Sequence, residues 1–248
     1  MKAFLLAAGV GSRLRPLTDS TPKCLLPVQG TPMLQIWFTL CREYGIDEVL
    51  INLHAHADVV RRFIERHSDG LKVTVFEETS LLGSAGTILA NRDWIKRETA
   101  FWIFYADVLT STNLDHMLAF HNRKDQLATL GVYEVADPTR CGIVQVDECD
   151  IVRDFVEKPK APVSRLAFSG LMLAKPAIVD LIPDLSPVDL GFHVLPKLVG
   201  RMAAYEVQEF LIDVGTMETY QKAQEAWPGP SQVSVLRPMQ EKSQPRKV

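Results

Sequence analysis

The densest grouping of chemically useful residues lies near the start of the chain, where Gly9-Val10-Gly11-Ser12-Arg13-Leu14 directly follows an apolar run. Two glycines let a backbone approach a ligand closely with its N–H groups turned inward, and Arg13 and Arg15 add fixed positive charge, so the loop suits a polyphosphate. It fails both familiar phosphate-loop tests. A dinucleotide fingerprint needs glycine where Leu14 stands, and no Gly-Lys-Ser/Thr follows. Taken alone, this pattern reads more readily as a surface turn. Asp107 and Asp213 each close an apolar run, the place where α/β sheets put ligand groups. Two carboxylates sharing a site repel unless a cation neutralises them. Magnesium, a hard ion held through one or two carboxylates plus substrate phosphates, is the natural candidate. The competing reading makes either aspartate a helix or turn cap. In Glu157-Lys158-Pro159 the acid and the base point to opposite faces if the segment is a strand, which gives them separate tasks. His67 and His121 lie on or beside apolar stripes and read as packing residues. Cys24, Cys41, Cys141 and Cys149 form no C-x-x-C pair and no ligand spacing with histidine, so reduced thiols in a cytoplasmic protein are expected.

Elements must hold these residues in place. The first hundred residues alternate strand-like runs, at 2–8, 48–54, 71–77 and 101–106, with helix-period segments, the pattern of a parallel sheet covered by helices. Val60, Phe63, Ile64 and His67, then Leu114, Met117, Leu118 and His121, each follow the i, i+3, i+4, i+7 spacing of one helix face. After about residue 125 the texture becomes β-rich, with runs at 127–135, 142–146, 151–157 and 167–174. Leu195, Leu198, Val199 and Met202 predict a further helix, 203–207 and 210–212 predict strands, and a last helix is predicted over 217–226. From Trp227 to residue 248 prolines, polar residues and basic residues predict a loosely docked or disordered tail. The 248 residues, 47% apolar and 23% charged, are those of an ordinary folded chain with a sizeable core. With 27 basic against 30 acidic residues, a broad nucleic-acid-binding surface is not expected, so an anionic ligand must be held locally. The apolar run at 4–10 is short and breaks into Arg13, favouring a first strand over a cleaved leader. No run approaches the ~18 apolar residues that span a bilayer, so no membrane partner is expected.

The loop also continues into a longer block. AAGVGSRLRPLTDSTPKCLLPV, residues 7–28, resembles the signature of the sugar-1-phosphate nucleotidylyltransferases, the pyrophosphorylases that make nucleotide sugars. Leu82-Gly83-Ser84-Ala85-Gly86, Tyr105-Ala106-Asp107, Phe155-Val156-Glu157-Lys158-Pro159, Phe168-Ser169-Gly170 and Asp213-Val214-Gly215-Thr216 match later blocks of that family in order. Short mannose-1-phosphate guanylyltransferases and bacterial uridylyltransferases are the members it is most similar to. The resemblance implies an α/β fold, a Rossmann-like, mixed, mostly parallel sheet flanked by helices, without the β-helix domain of many relatives. It implies one nucleotidyltransferase domain over 1–226, with a nucleotide-binding half to about 125 and a sugar-phosphate-binding half after it. The implied reaction is attack by a sugar-phosphate oxygen on the α-phosphorus of a nucleoside triphosphate, expelling pyrophosphate. Positioning and electrostatics would carry such a reaction, with no covalent nucleophile.

By the same resemblance, Ala8, Gly9, Gly11, Ser12 and Arg13, with Gly83, Ser84 and Gly86, bind the nucleotide. Arg13 steadies the triphosphate, Lys23 sits by the α-phosphate, and Asp107 and Asp213 hold Mg2+. Glu157, Lys158, Ser169 and Gly170 face the sugar phosphate. The implied partners are a nucleoside triphosphate and a sugar 1-phosphate, in a homodimer or homotetramer. Two departures stand out: alanine where glycine commonly precedes Asp107, and Phe168-Ser169 where many hexose-1-phosphate members have Asn-Ala. GTP with mannose 1-phosphate is the expected pair, with UTP or dTTP and another hexose 1-phosphate as the alternative. A silent nucleotide-sugar sensor is disfavoured because Arg13, Lys23, Asp107 and Asp213 are all present. A cytidylyltransferase for a small phosphorylated alcohol shares the front loop but lacks the distal sugar blocks.

Overall fold

The computed structural model describes residues 1–229. In chain order its strands are β1 (Lys2–Leu6), β2 (Pro27–Val28), β3 (Thr31–Pro32), β4 (Glu48–Leu53), β5 (Lys72–Glu77), β6 (Phe101–Tyr105) and β7 (Val108–Thr110). They continue as β8 (Ala128–Glu134), β9 (Gly142–Val146), β10 (Val152–Glu157), β11 (Leu166–Ala174), β12 (Met202–Glu206) and β13 (Leu211–Asp213). The helices are α1 (Met33–Glu43), α2 (Ala57–His67), α3 (Ser84–Ala90), α4 (Arg92–Ile95), α5 (Leu114–Lys124) and α6 (Met217–Ala226).

The main sheet runs β10-β9-β11-β6-β1-β4-β5, with β8 and β12 joined through β11. β1 lies parallel between β4 and β6, and β5 is parallel to β4, which makes the expected parallel first half. β11 reverses direction against β6 and carries the sheet into the β-rich second half. Strands covered on both faces read as nearly unbroken apolar runs, as β1 and β6 do. Ala3 and Leu5 pack with Ile51, Trp102 and Phe104 beneath α1, α2 and α5. Phe4, pointing the other way, packs with Leu50 and Ile103 against α3 and α4. Trp37 of α1 stacks on Phe104 with ring centroids 4.7 Å apart. α1 itself goes unassigned in the sequence reading, although Leu34, Trp37, Phe38 and Cys41 repeat at helical spacing and are all buried. His121 behaves as a packing residue, buried and bonded to Thr129 Oγ1 at 2.9 Å, whereas His67 is exposed and only stacks on Phe63.

Two expectations need correction. The predicted helix after residue 194 is instead one π-helical turn, Leu190–Val194, followed by a 3-10 turn, Leu195–Leu198. Pro196 offers no N–H to continue a helix, and Gly200, at φ 78, turns the chain into β12. The tail begins later than residue 227. Trp227 is 4% exposed and packs edge-on against Phe210. Its carbonyl accepts the Gln29 side-chain N–H at 2.8 Å. The expected tail beyond residue 229 lies outside the described residues. No helix among the described residues is long and apolar enough to cross a membrane.

Candidate active site

The parallel strands β1, β4, β5 and β6 end on one edge of the sheet, where α/β folds bind ligands. The loop after β1 starts there. Gly11 takes φ 67 and leads into a 3-10 turn, Ser12–Leu14. A Cβ at Gly11 would lie 2.9 Å from Thr18 and 3.2 Å from Lys23, so the missing side chain lets the loop press on the Lys23 segment. Ala8, Gly9, Lys23, Gly83, Ser84 and Asp107 line one cavity of about 260 Å³. Gly11, Ser12 and Gly86 are not among its lining residues; Gly11 and Gly86 shape the loops behind it, and Ser12 is exposed. Cys24 lines the same cavity, but burial pushes its thiol up to about 12, so it stays protonated.

In the Leu82-to-Gly86 block only Leu82 and Gly83 precede the helix, because α3 begins at Ser84. Its glycines answer to packing. Gly83 sits at φ 81, and a Cβ there would fall 2.3 Å from the Val188 carbonyl oxygen. That carbonyl accepts N–H bonds from Ala85 at 3.0 Å and Gly86 at 3.1 Å, and Val188 donates to the Leu82 carbonyl at 2.7 Å. Ser84 Oγ donates to Asp189 Oδ2 at 2.9 Å and accepts from Leu190 N at 2.7 Å, so its hydroxyl is committed to the wall behind.

Asp107 lies two residues beyond β6, in the turn to β7, rather than at the strand end. β13 pairs antiparallel with β7 so that Asp213 opposes Val108, and Val214 N donates to the Asp107 carbonyl at 2.8 Å. Backbone pairing thereby brings the two aspartates together from positions 106 residues apart (213 less 107). Lys23 Nζ bonds Asp107 Oδ2 at 2.5 Å and is only 10% exposed. Asp213 reaches solvent at the cleft, yet protein crowding there raises its carboxyl above the usual range, the Asp107 charge adds to this, and Lys23, Arg13 and Arg140 oppose it. A Cβ at Gly215 would lie 2.9 Å from Asp213 Oδ1 and 3.2 Å from Arg13 Nη2, so the glycine lets these two charged side-chain ends approach it without being displaced. No third His, Cys, Asp or Glu completes a metal-holding cluster among the described residues. The donor set still fits magnesium, which takes one or two carboxylates and fills its other positions with phosphate oxygens and water.

Beyond the aspartates a wider cleft of about 880 Å³ is lined by Arg13, Glu157, Lys158, Gly170 and Asp213. The opposite-face expectation for Glu157 and Lys158 fails. Lys158 takes a left-handed φ of 51 at the end of β10, which breaks the alternation and swings Nζ to 3.8 Å from Glu157 Oε1 and 5.5 Å above the Phe192 ring. Burial raises the Glu157 carboxyl, Lys158 opposing and Asp189 reinforcing the rise. Ser169 is 3% exposed, and its Oγ accepts Leu171 N at 3.2 Å. Ser169 lines the cleft together with Phe168 and Gly170, where Gly170 at φ 81 and a register shift between Phe168 and Met172 interrupt the strand alternation. Tyr105 borders both cavities; burial above all, with the Asp189 charge, raises its hydroxyl, which stays protonated.

The family assignment now has its geometry. A sequence profile of the nucleotidyl transferases matches residues 2–228. The chain belongs to the nucleotidyl transferase family. Mannose-1-phosphate guanylyltransferase 1 of Arabidopsis thaliana is 32% identical over 227 residues, covering 89% of this chain and 63% of the relative. The mannose-1-phosphate guanylyltransferase catalytic subunit beta of Xenopus tropicalis is 29% identical over 221 residues, covering 87% and 61%. This nucleotidyl transferase therefore spans under two thirds of those relatives' length. Its fold is that of UDP-glucose pyrophosphorylase complexed with UDP-glucose, at TM-score 0.79, 20% identity and coverage of 91% and 97% of the two chains. It is also that of HddC from Yersinia pseudotuberculosis complexed with GMP-PN, at TM-score 0.76, 23% identity and coverage of 91% and 99%.

In the smaller cavity sequence reasoning missed the polar residues Asn52, Glu78 and Asp189, and in the wider cleft Arg140, whose charge acts on Asp213. Asn52 could have been found as the polar residue closing the apolar run of β4, and Glu78 as the first residue after β5. Asp189 lies outside every matched block.

Proposed function

We propose that this nucleotidyl transferase moves a nucleoside monophosphate from a nucleoside triphosphate to a sugar 1-phosphate, giving a nucleotide sugar and pyrophosphate. GTP and mannose 1-phosphate are its substrates in this reading, and the cytoplasm its compartment. The observation that carries it is the meeting of Lys23, Asp107 and Asp213, with Arg13 beside them, between a small cavity and a wider cleft. The named relatives supply the substrate pair.

Both reactants are anions, so the transition state needs cations held in place beforehand. Asp107 and Asp213 would hold magnesium, which supplies charge neutralisation across the phosphates. Lys23, held at Asp107, stands ready to meet the α-phosphate. Arg13, beside Gly215, faces the leaving pyrophosphate. On the far side Glu157 accepts sugar hydroxyls and Lys158 meets the sugar phosphate; Ser169 contributes through its backbone. Phe168 beside Gly170 favours a second reading in which the sugar is another hexose, joined to UTP or dTTP.

Pyrophosphate release should be measured across GTP, UTP, dTTP, ATP and CTP against a panel of sugar 1-phosphates with magnesium. The largest kcat/KM should fall on GTP with mannose 1-phosphate. A different sugar or base at the maximum selects the second reading, and folded protein silent across the whole matrix defeats both.

A further inference from the structure

A buried carboxylate to which the proposed chemistry gives no task lies in the wall of the nucleotide cavity. Glu78 is 4% exposed, and its hydrogen bonds come from uncharged donors. Its Oε1 accepts Asn52 Nδ2 at 2.9 Å and Thr87 Oγ1 at 2.5 Å, and its Oε2 accepts the Leu82 backbone N–H at 3.0 Å. Asn52, 5% exposed, accepts the Ala7 backbone N–H on Oδ1 at 2.7 Å. That contact fixes the amide's orientation, because the opposite rotamer would set N–H against N–H. The three side chains come from the end of β4, the residue after β5 and the middle of α3. They tie Ala7, at the root of the glycine loop, to Leu82, at the root of the loop closed by Gly83. A buried carboxylate held by neutral donors is costly to leave partly satisfied, so its donors are strongly constrained.

We propose that Glu78 is a positioning residue, which through Asn52, Thr87 and Leu82 sets the separation between the two loops facing the nucleotide and so its affinity and base preference. The inference rests on the nucleotide-binding part of the reading above and is independent of which sugar is used. Glu78→Gln places an amide N–H against either the Leu82 N–H or the Asn52 and Thr87 donors, so at least one bond is lost whichever way it turns. Thr87→Val removes one hydroxyl at nearly constant shape. It is the gentler variant if Glu78→Gln does not fold.

Calorimetric Kd values for GTP and UTP with magnesium should be measured on wild type and both variants, beside KM for each substrate. Both variants should weaken triphosphate binding, Glu78→Gln by about tenfold or more and Thr87→Val by several-fold, and narrow the GTP-to-UTP ratio. KM for the sugar phosphate should stay within about twofold. A purely structural role would lower Tm and the active fraction while leaving the Kd values and their ratio unchanged, and that result in the folded Thr87→Val protein overturns the proposal. Wild type that binds triphosphate but transfers nothing contradicts the proposed reaction while the Kd comparison still decides the role of Glu78. Wild type that binds no triphosphate overturns both.

Discussion

At the scale of single residues the site is asymmetric in a way that charge counting on the sequence does not reveal. Two aspartates aimed at one metal should repel equally, so neutralising either should relieve the protein when no metal is bound. Asp107, however, holds Lys23 at 2.5 Å, and Lys23 is nearly enclosed. Asp107→Asn leaves that cation without its partner and should lower the Tm of the metal-free protein, whereas Asp213→Asn should raise it. The sign for Asp213 follows from its raised carboxyl. The folded state keeps the proton longer than the unfolded chain, so the stability this group contributes is present below its ordinary value of 3.8 and is lost as pH rises through the raised one. Asp93, Asp125 and Asp147, held below the usual range, act in the opposite sense in both proteins, so the test is the difference: melts across pH 3 to 7 should show the Tm of Asp213→Asn gaining on that of wild type as pH rises, and a gap that stays constant or shrinks would contradict the assignment. Lys23→Met should lower kcat/KM by roughly 100-fold, the value of a charge aimed at the transition state. Lys158→Met, whose Nζ lies beyond the aspartates, should mainly raise KM for the sugar phosphate; steady-state kinetics showing the two effects exchanged would reverse the subsites.

At the scale of elements, much of what positions the site was legible because it is local. The strand runs, α2, α5 and α6 follow apolar period and turn residues, and Met217–Ala226 coincides with its predicted span. Other features arise from contacts between distant segments, which no periodicity records. Gly83 is glycine because Val188, 105 residues on (188 less 83), places a carbonyl where a Cβ would be. Lys158 sits beside Glu157 because a left-handed residue ends β10, and left-handed lysines leave no signature in sequence. Gly83→Ala should therefore do more than its size suggests, combining a strained φ with a backbone clash. Its expected outcome is a rise in triphosphate Kd of about tenfold or more, measured beside Tm, because α3 and the 188–190 segment separate. Unchanged binding would show that this packing does not shape the nucleotide cavity.

At the scale of the whole molecule, the order of the matched blocks gave the family and the fold, and the sheet edge gathers them: β1, β6 and β13 each deliver a block to one side of it. Trp227, expected in the tail, closes a small core with Phe210, Leu14 and Val28. Trp227→Ala should cost about 3 to 5 kcal/mol in denaturant unfolding, the range for emptying a buried aromatic site, and a cost near zero would return Trp227 to the tail. That core also supports Leu14 of the glycine-loop turn, so the same variant should weaken triphosphate binding. The central claim is that Lys23, Asp107 and Asp213 form one centre for nucleotidyl transfer to a sugar phosphate. Its most direct test is pyrophosphate and nucleotide sugar measured together from GTP, mannose 1-phosphate and magnesium, for wild type and Lys23→Met. The two products should appear in equal amounts from wild type, depend on the sugar phosphate, and fall together by roughly 100-fold in the variant. Pyrophosphate formed without nucleotide sugar, or a variant as active as wild type, would contradict it.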